Sequence, residues 1–158
     1  EWHVDGGPYI ARPPEHAWPD HIPYPIFVIT THIYLQDVAL EDGPTAILPG
    51  SHRSGRLPPS ERMWDVDLTY DGQRGDIHLA NAGDVTLFVS DTWHRRMPTT
   101  PTCKGRFFVQ SAYGRREVAQ RLIPTERMGM VSAAARARAQ SERELEVLGL
   151  HPQVFYDG

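Results

Sequence analysis

The longest run of apolar and β-branched residues covers residues 26–38 (IFVITTHIYLQDV) and predicts the clearest β-strand in the chain. Four shorter runs of similar character are bounded by Gly, Pro and Asn residues that favour turns. They predict strands at residues 45–48, 76–79, 84–89 and 106–113. The residues from 51 to 75 are predicted to be irregular. Short strands separated by turns are typical of an antiparallel β-barrel or jelly roll.

The pattern changes after residue 115. Residues 115–123 and 132–148 are rich in Ala, Arg, Glu and Leu, a composition that favours helices. Ser141 is followed three residues later by Glu144, which matches the sequence of a capping box at a helix start. We therefore predict helices at the C-terminal end of a mainly β fold.

Proline is concentrated in one stretch of the chain. Six of the 14 prolines lie between Pro8 and Pro25. Because proline lacks an N–H donor and has a fixed φ, this stretch can be neither a helix nor a central strand. A segment of this length without regular structure is usually functional when it is ordered. We predict a long loop that folds over the surface or over a site.

Composition narrows the class of protein. The chain has 158 residues, of which 40% are hydrophobic, and predicts one domain with a β core at 1–114 and a helical tail at 115–158. No apolar run approaches the roughly 20 residues that span a bilayer. The net charge of −4, with scattered arginines, argues against nucleic-acid binding. The single cysteine, Cys103, cannot form an internal disulfide, so we expect a cytoplasmic protein.

The candidate chemistry begins with His3-Val4-Asp5. On a strand, residues i and i+2 point to the same face, so this imidazole and this carboxylate converge. A second histidine would complete the set of two histidines and one carboxylate that holds Fe(II) and leaves positions open. His94 follows a predicted strand, and Arg106 opens the next one. An arginine facing the same cavity offers a planar fork that pairs with a dicarboxylate.

In this order, these residues resemble the phytanoyl-CoA dioxygenase-like family of Fe(II)/2-oxoglutarate oxygenases. The resemblance spans residues 2–113 and implies a double-stranded β-helix, the jelly-roll fold shared with cupins. The matching segments are residues 2–6 (WHVDG), residues 36–52 (QDVALEDGPTAILPGSH), residues 82–88 (AGDVTLF), His94 and Arg106.

The resemblance also implies roles for individual residues. His3, Asp5 and His94 would be the iron ligands, and Arg106 would bind the C5 carboxylate of 2-oxoglutarate. His32 lies where the family often places an aromatic residue near this cosubstrate. The implied reaction uses Fe(II), 2-oxoglutarate and molecular oxygen to hydroxylate a small organic metabolite, with release of succinate and CO₂. Asp5 favours a hydroxylase, because related halogenases carry a small residue there.

The chain departs from the family pattern in two places. Family members often have a small hydroxyl residue two positions after the second histidine, where this chain has Arg96. They also have a substantial segment before the first histidine. We therefore expect a parent chain with roughly a hundred more residues before Glu1, in line with common domain sizes.

Two other functions stay open at this point. One is a noncatalytic jelly-roll module that binds a ligand without turnover. The other is a cupin-like metal enzyme that does not use 2-oxoglutarate, which would normally have more histidine ligands and would not need Arg106. Absence of 2-oxoglutarate binding would favour the module, and activity without 2-oxoglutarate would favour the cupin-like enzyme. The residues do not identify the substrate or the oligomeric state.

Overall fold

The computed structural model describes residues 1–5, 7–13, 15–16, 18–115 and 131–150. It divides into two compact units, Glu1–Ala112 and Tyr113–Gly158. Apart from Arg115, the helix predicted at residues 115–123 lies outside the described residues.

The described part of the chain contains eight strands. They are β1 (Val28–Tyr34), β2 (Thr45–Ile47), β3 (Thr69–Tyr70), β4 (Gln73–Arg74), β5 (Asp76–His78), β6 (Val85–Val89), β7 (His94–Arg96) and β8 (Phe108–Gly114). Short 3₁₀ helices cover Leu40–Asp42 and Ser51–Ser54. Between residues 7 and 27 the described residues form neither helix nor strand, as the prolines predict.

Two strand predictions were incomplete. The segment at 51–75 is not wholly irregular, because β3 and β4 form a hairpin. Its turn residues, Asp71 and Gly72, both have positive φ, as two-residue hairpin turns require. The short polar strand β7 (His94–Arg96) was not predicted at all. Its sequence has no alternating apolar pattern, and it is held by pairing with a distant strand.

The strands form two three-stranded sheets. Sheet one has the order β6-β1-β8, and β1 runs antiparallel to β6 with His32 opposite Thr86. Sheet two has the order β5-β2-β7, and β2 pairs antiparallel with both neighbours. The described strands do not close into a continuous barrel. The predicted class, a mainly β jelly-roll-like fold with short C-terminal helices, is confirmed.

One face of sheet two packs on the main apolar cluster of Glu1–Ala112. Ala46 in β2 belongs to this cluster together with Trp2, Leu48, Leu68 and Trp93. The opposite face carries Thr45, which pairs with Arg96, and Ile47, which pairs with His94. Because paired residues of antiparallel strands point to the same side, polar groups collect on that face.

The Tyr113–Gly158 unit contains two short helices, α1 (Ala133–Arg138) and α2 (Glu142–Val147). The single helix predicted at 132–148 is therefore interrupted. The Ser141 hydroxyl accepts a hydrogen bond from the Glu144 N–H, as the capping-box pattern predicts, and this starts a new helix. The Glu144 carboxylate accepts from the Gln140 N–H, so the reciprocal bond to Ser141 is not made. Neither α1 nor α2, nor any other helix within the described ranges, is long and apolar enough to cross a bilayer.

Candidate metal centre

His3 and His94 are neighbours because the start of the chain pairs with β7. The His3 N–H donates to the His94 carbonyl at 2.9 Å, and the His94 N–H donates to the His3 carbonyl at 3.0 Å. This isolated antiparallel bridge brings the two ring centroids to 4.3 Å. The segment is anchored by Trp2, whose ring is buried and whose Nε1–H donates to the Asp65 carbonyl at 2.7 Å.

Asp5 completes a compact group with these two histidines. Its Oδ1 lies 3.7 Å from His3 Nε2 and 3.6 Å from His94 Nε2. One ligand atom from each of the three residues lies within 4.8 Å of the others. Metal–ligand bonds to nitrogen and oxygen are about 2.0–2.2 Å, so one ion can reach all three with small side-chain adjustments. The structure therefore brings together the three predicted ligands.

Backbone carbonyls fix which nitrogen of each imidazole is available. His94 Nδ1 lies 2.8 Å from the Thr92 carbonyl, and His3 Nδ1 lies 3.1 Å from the Glu1 carbonyl. Because a carbonyl only accepts, each Nδ1 carries the hydrogen in these contacts. Each Nε2 then offers its lone pair to the cluster. Metal-binding histidines are commonly oriented by hydrogen bonds of this kind, so the donor set fits a metal ion.

Electrostatics also favour the ligand forms of these groups. Burial lowers the pKa of His3 below its usual range, and nearby His94 lowers it further. The interaction with the neighbouring His94 holds the pKa of Asp5 below its usual value. A neutral imidazole and an ionised carboxylate are the forms that bind metal. The His94 side chain is 7% exposed, whereas those of His3 and Asp5 are 43% and 38% exposed, which leaves the cluster accessible on their side.

Arg106 reaches sheet two from the segment before β8. Its Nη1 donates to the Thr45 hydroxyl at 2.6 Å, and its guanidinium carbon lies 4.8 Å from the centroid of the Phe108 ring. Burial lowers its pKa, and Arg96 lowers it further. No carboxylate within the described ranges forms an ion pair with Arg106. The strand predicted from residue 106 begins at Phe108, which leaves Arg106 outside the ladder.

His32 lies in β1 beside this arginine. Its ring centroid is 4.2 Å from that of Phe108, and burial lowers its pKa to about 4, with Arg106 as the next cause. His32 Nδ1 and the Tyr34 hydroxyl are both buried without a hydrogen-bond partner. Buried polar atoms are rarely left unpaired. Two such atoms near a guanidinium without a carboxylate fit a site for a polar, anionic molecule, as 2-oxoglutarate would require.

Three further residues belong to this site. Thr45 and Tyr34 lie beside Arg106, and Gln110 Nε2 is 3.4 Å from Asp5 Oδ2. Tyr34 lies two residues after His32, and Gln110 lies two residues after Phe108. Because residues with this spacing share a strand face, the sequence could have indicated both. Thr45 carried no such signal, because its contact with Arg106 joins residues that are 61 positions apart in the chain.

Comparison with known proteins identifies the family. The family model described as phytanoyl-CoA dioxygenase (PhyH) matches residues 1–100. This chain belongs to the phytanoyl-CoA dioxygenase family. The family match includes His3, Asp5 and His94 and ends before Arg106. Membership in the phytanoyl-CoA dioxygenase family supports a dioxygenase of the Fe(II)/2-oxoglutarate type in general.

No curated protein matches the chain. One similar solved structure is titled "Crystal Structure of EvdMO1". The two are 20% identical, with a TM-score of 0.47, and the match covers 63% of this chain and 22% of the other.

Proposed function

We propose that this chain forms the iron-binding and cosubstrate-binding part of an Fe(II)/2-oxoglutarate-dependent dioxygenase that hydroxylates a small organic metabolite. Succinate and CO₂ would be the other products. The observation that carries the proposal is the convergence of His3, Asp5 and His94, with both histidines oriented through Nδ1. We further propose a cytoplasmic enzyme whose partner is its small-molecule substrate rather than nucleic acid or a membrane.

The donor set supports Fe(II) as the metal. His3 Nε2, His94 Nε2 and Asp5 Oδ1 would hold Fe(II) on one face, leaving positions for the cosubstrate and oxygen. Bound Fe(II) would supply the redox chemistry that couples oxidative decarboxylation of 2-oxoglutarate to hydroxylation. The carboxylate of Asp5 fills the third protein position, which supports hydroxylation over halogenation.

The other residues bind and orient the cosubstrate. Arg106 and the Thr45 hydroxyl, 2.6 Å apart, offer N–H and O–H donors to the C5 carboxylate. The Tyr34 hydroxyl and the His32 ring, whose polar atoms have no partner, adjoin this arginine. Low pKa keeps His32 neutral at physiological pH, so it would act through hydrogen bonding and packing rather than as a cation.

The proline-rich loop would shield the site from water. It begins at Pro8, three residues after Asp5, and two of its residues donate hydrogen bonds to the Asp91 carboxylate. Asp91 Oδ2 accepts from the Tyr9 N–H at 3.1 Å and from the Tyr24 hydroxyl at 2.6 Å. Asp91 itself lies three residues before His94. Excluding water protects a reactive oxidant from unproductive side reactions.

Anaerobic metal binding followed by turnover tests this function. Wild-type protein should take up Fe(II), bind 2-oxoglutarate and, with ascorbate, oxygen and a suitable metabolite, release succinate. His94→Ala should weaken metal binding by more than about tenfold, because it removes a direct ligand. His21→Ala, an exposed histidine of the loop, is the matched control.

The individual results separate the alternatives. Lack of metal uptake by the wild type, or uptake unchanged in His94→Ala, would refute the metal centre. Substrate turnover without 2-oxoglutarate would favour the cupin-like enzyme. Absence of 2-oxoglutarate binding by the metal-loaded wild type would favour the noncatalytic module.

A further inference from the structure

Arg96 stands on the face of sheet two that carries the candidate site. It lies two positions after His94 in β7 and is paired with Thr45 in β2. Residues i and i+2 of a strand share a face, and so do directly paired residues of antiparallel strands. The Arg96 side chain therefore leaves the backbone on the side of His94 and Thr45.

The Arg96 guanidinium lies against the turn that leads into β2. Its Nη2 donates to the Asp42 carbonyl at 3.1 Å. A Cβ built on Gly43, whose φ is +71°, would lie 2.9 Å from Arg96 Nε. Glycine therefore provides the room for this close approach as well as the backbone conformation. The Arg96 guanidinium thus lies beside Asp42 and Gly43, two to three residues before Thr45 in the chain. The Thr45 hydroxyl accepts a hydrogen bond from Arg106.

Neither guanidinium forms an ion pair with a carboxylate among the described residues, although Arg96 is near enough to Asp42 to help lower the pKa of its carboxyl group. The nearby Asp42 carboxylate is already engaged, since it accepts from the Ala39 N–H at 3.1 Å and from the Lys104 N–H at 2.7 Å. Arg96 uses the Asp42 carbonyl instead. Two neighbouring cations repel each other, and Arg96 accordingly contributes to the lowered pKa of Arg106. An anion between them would relieve this repulsion.

We propose that Arg96 is a second cosubstrate-binding residue, which acts with Arg106 on the terminal carboxylate of 2-oxoglutarate. This inference rests on the proposed function and deepens it. The second donor would then be a cation, like Arg106. Arg96 therefore selects a 2-oxo acid with a distal carboxylate over one with an apolar end.

Two substitutions separate this role from a structural one. Arg96→Gln removes the charge but keeps an N–H donor for the Asp42 carbonyl, whereas Arg96→Lys keeps the charge. Arg74→Gln is the matched control, because Arg74 is 80% exposed and lies in the β3–β4 hairpin. Mn(II), which suits the same ligand types as Fe(II), replaces it so that binding is measured without turnover.

The experiment compares two ligands by calorimetry on the Mn(II)-loaded proteins. The ligands are 2-oxoglutarate and 2-oxopentanoate, which has the same chain length but no distal carboxylate. Arg96→Gln should weaken 2-oxoglutarate binding about tenfold, the scale of one charge-assisted hydrogen bond, and leave 2-oxopentanoate unchanged. Arg96→Lys should retain most of the affinity, and Arg74→Gln should match the wild type.

Contrary results would be distinct. Unchanged 2-oxoglutarate affinity in Arg96→Gln, or an equal loss for both ligands, would overturn the role of Arg96. A wild type that binds Mn(II) but neither 2-oxo acid would instead contradict the proposed function itself.

Discussion

At the scale of single residues, environment separates histidines that look alike in the sequence. His3 and His94 each direct Nδ1 to a backbone carbonyl, which leaves Nε2 for the candidate metal. His32 is buried among aromatic rings, and its Nδ1 has no partner. His3 and His94 are oriented as metal ligands would be, whereas His32 is a neutral residue packed against aromatic rings. The carbonyls that orient His3 and His94 lie only two residues away in the sequence. The rings that surround His32 come from distant strands.

Burial of neutral His32 makes stability depend on pH. Its pKa is about 4 in the folded protein and 6.5 without the fold, so between these values the unfolded chain binds the extra proton. The free energy of unfolding should therefore fall as pH decreases through this window, by about 2 kcal/mol between pH 7 and pH 5 from this residue. Denaturant unfolding of metal-free protein at both pH values measures it.

His32→Phe is the informative variant for this prediction. Phenylalanine suits the aromatic surroundings and does not titrate, so the variant should lose about 2 kcal/mol less than the wild type between pH 7 and pH 5. All other histidines are common to the two proteins and cancel in the comparison. Equal losses in the two proteins would show that His32 is not buried in its neutral form.

At the scale of elements, the proline-rich loop is defined by what holds it rather than by its own hydrogen bonds. The Asp91 carboxylate, 3% exposed, holds Tyr9 near one end of the loop and Tyr24 near the other. Burial and this hydrogen bond raise the pKa of Tyr24, so its hydroxyl stays a donor. The Arg12 N–H also donates to the Gly55 carbonyl at 3.0 Å, which attaches the middle of the loop.

Removing the carboxylate should loosen the loop. In Asp91→Ala we expect amide hydrogen exchange of residues 9–24 to accelerate at least about tenfold, since two hydrogen bonds to a buried charged group are lost. Exchange followed by mass spectrometry reports on this segment directly. Asp67→Ala, at an exposed aspartate, serves as the control. Exchange in Asp91→Ala that equals the wild type would show that other contacts hold the loop.

At the scale of the Glu1–Ala112 unit, the candidate metal centre joins segments that are far apart in sequence. His3 and Asp5 come from the first residues, and His94 comes from β7. The bridge between His3 and His94 consists of two backbone hydrogen bonds, and Trp2 supplies the apolar anchor. A metal ion at this point would bind the folded chain and not the unfolded one, so binding would stabilise the whole unit.

Metal addition should therefore raise the midpoint of thermal unfolding. At a free metal concentration of about 100 times Kd, the expected gain is about 2.7 kcal/mol. Differential scanning calorimetry with Mn(II) and then with excess chelator measures the gain and its reversal. Asp5→Ala should abolish most of the shift, while Asp37→Ala, outside the cluster, should preserve it. A shift of equal size in Asp5→Ala would place the stabilising ion elsewhere.

Local sequence patterns determined much of this protein. Alternating apolar residues and turn residues predicted β1, β2, β5, β6 and β8 to within a few residues, because each signal lies within the strand itself. The HxD motif and the order of the later motifs predicted which side chains would meet, although metal binding by them stays a prediction. The Ser141 cap was likewise visible, since its partner is only three residues away.

Only the tertiary structure decided the rest. β7 exists because residues 94–96 pair with β2, and that register is what places Arg96 beside Thr45. The contact of Arg106 with Thr45 joins segments 61 residues apart, and the rings that surround His32 come from the neighbouring strands β6 and β8. Strand pairing and sheet packing are long-range interactions, so no local pattern encodes them. The residues that match the family could be located in the sequence. The position of Arg96 beside Thr45, on which its proposed role depends, arises only when β7 pairs with β2.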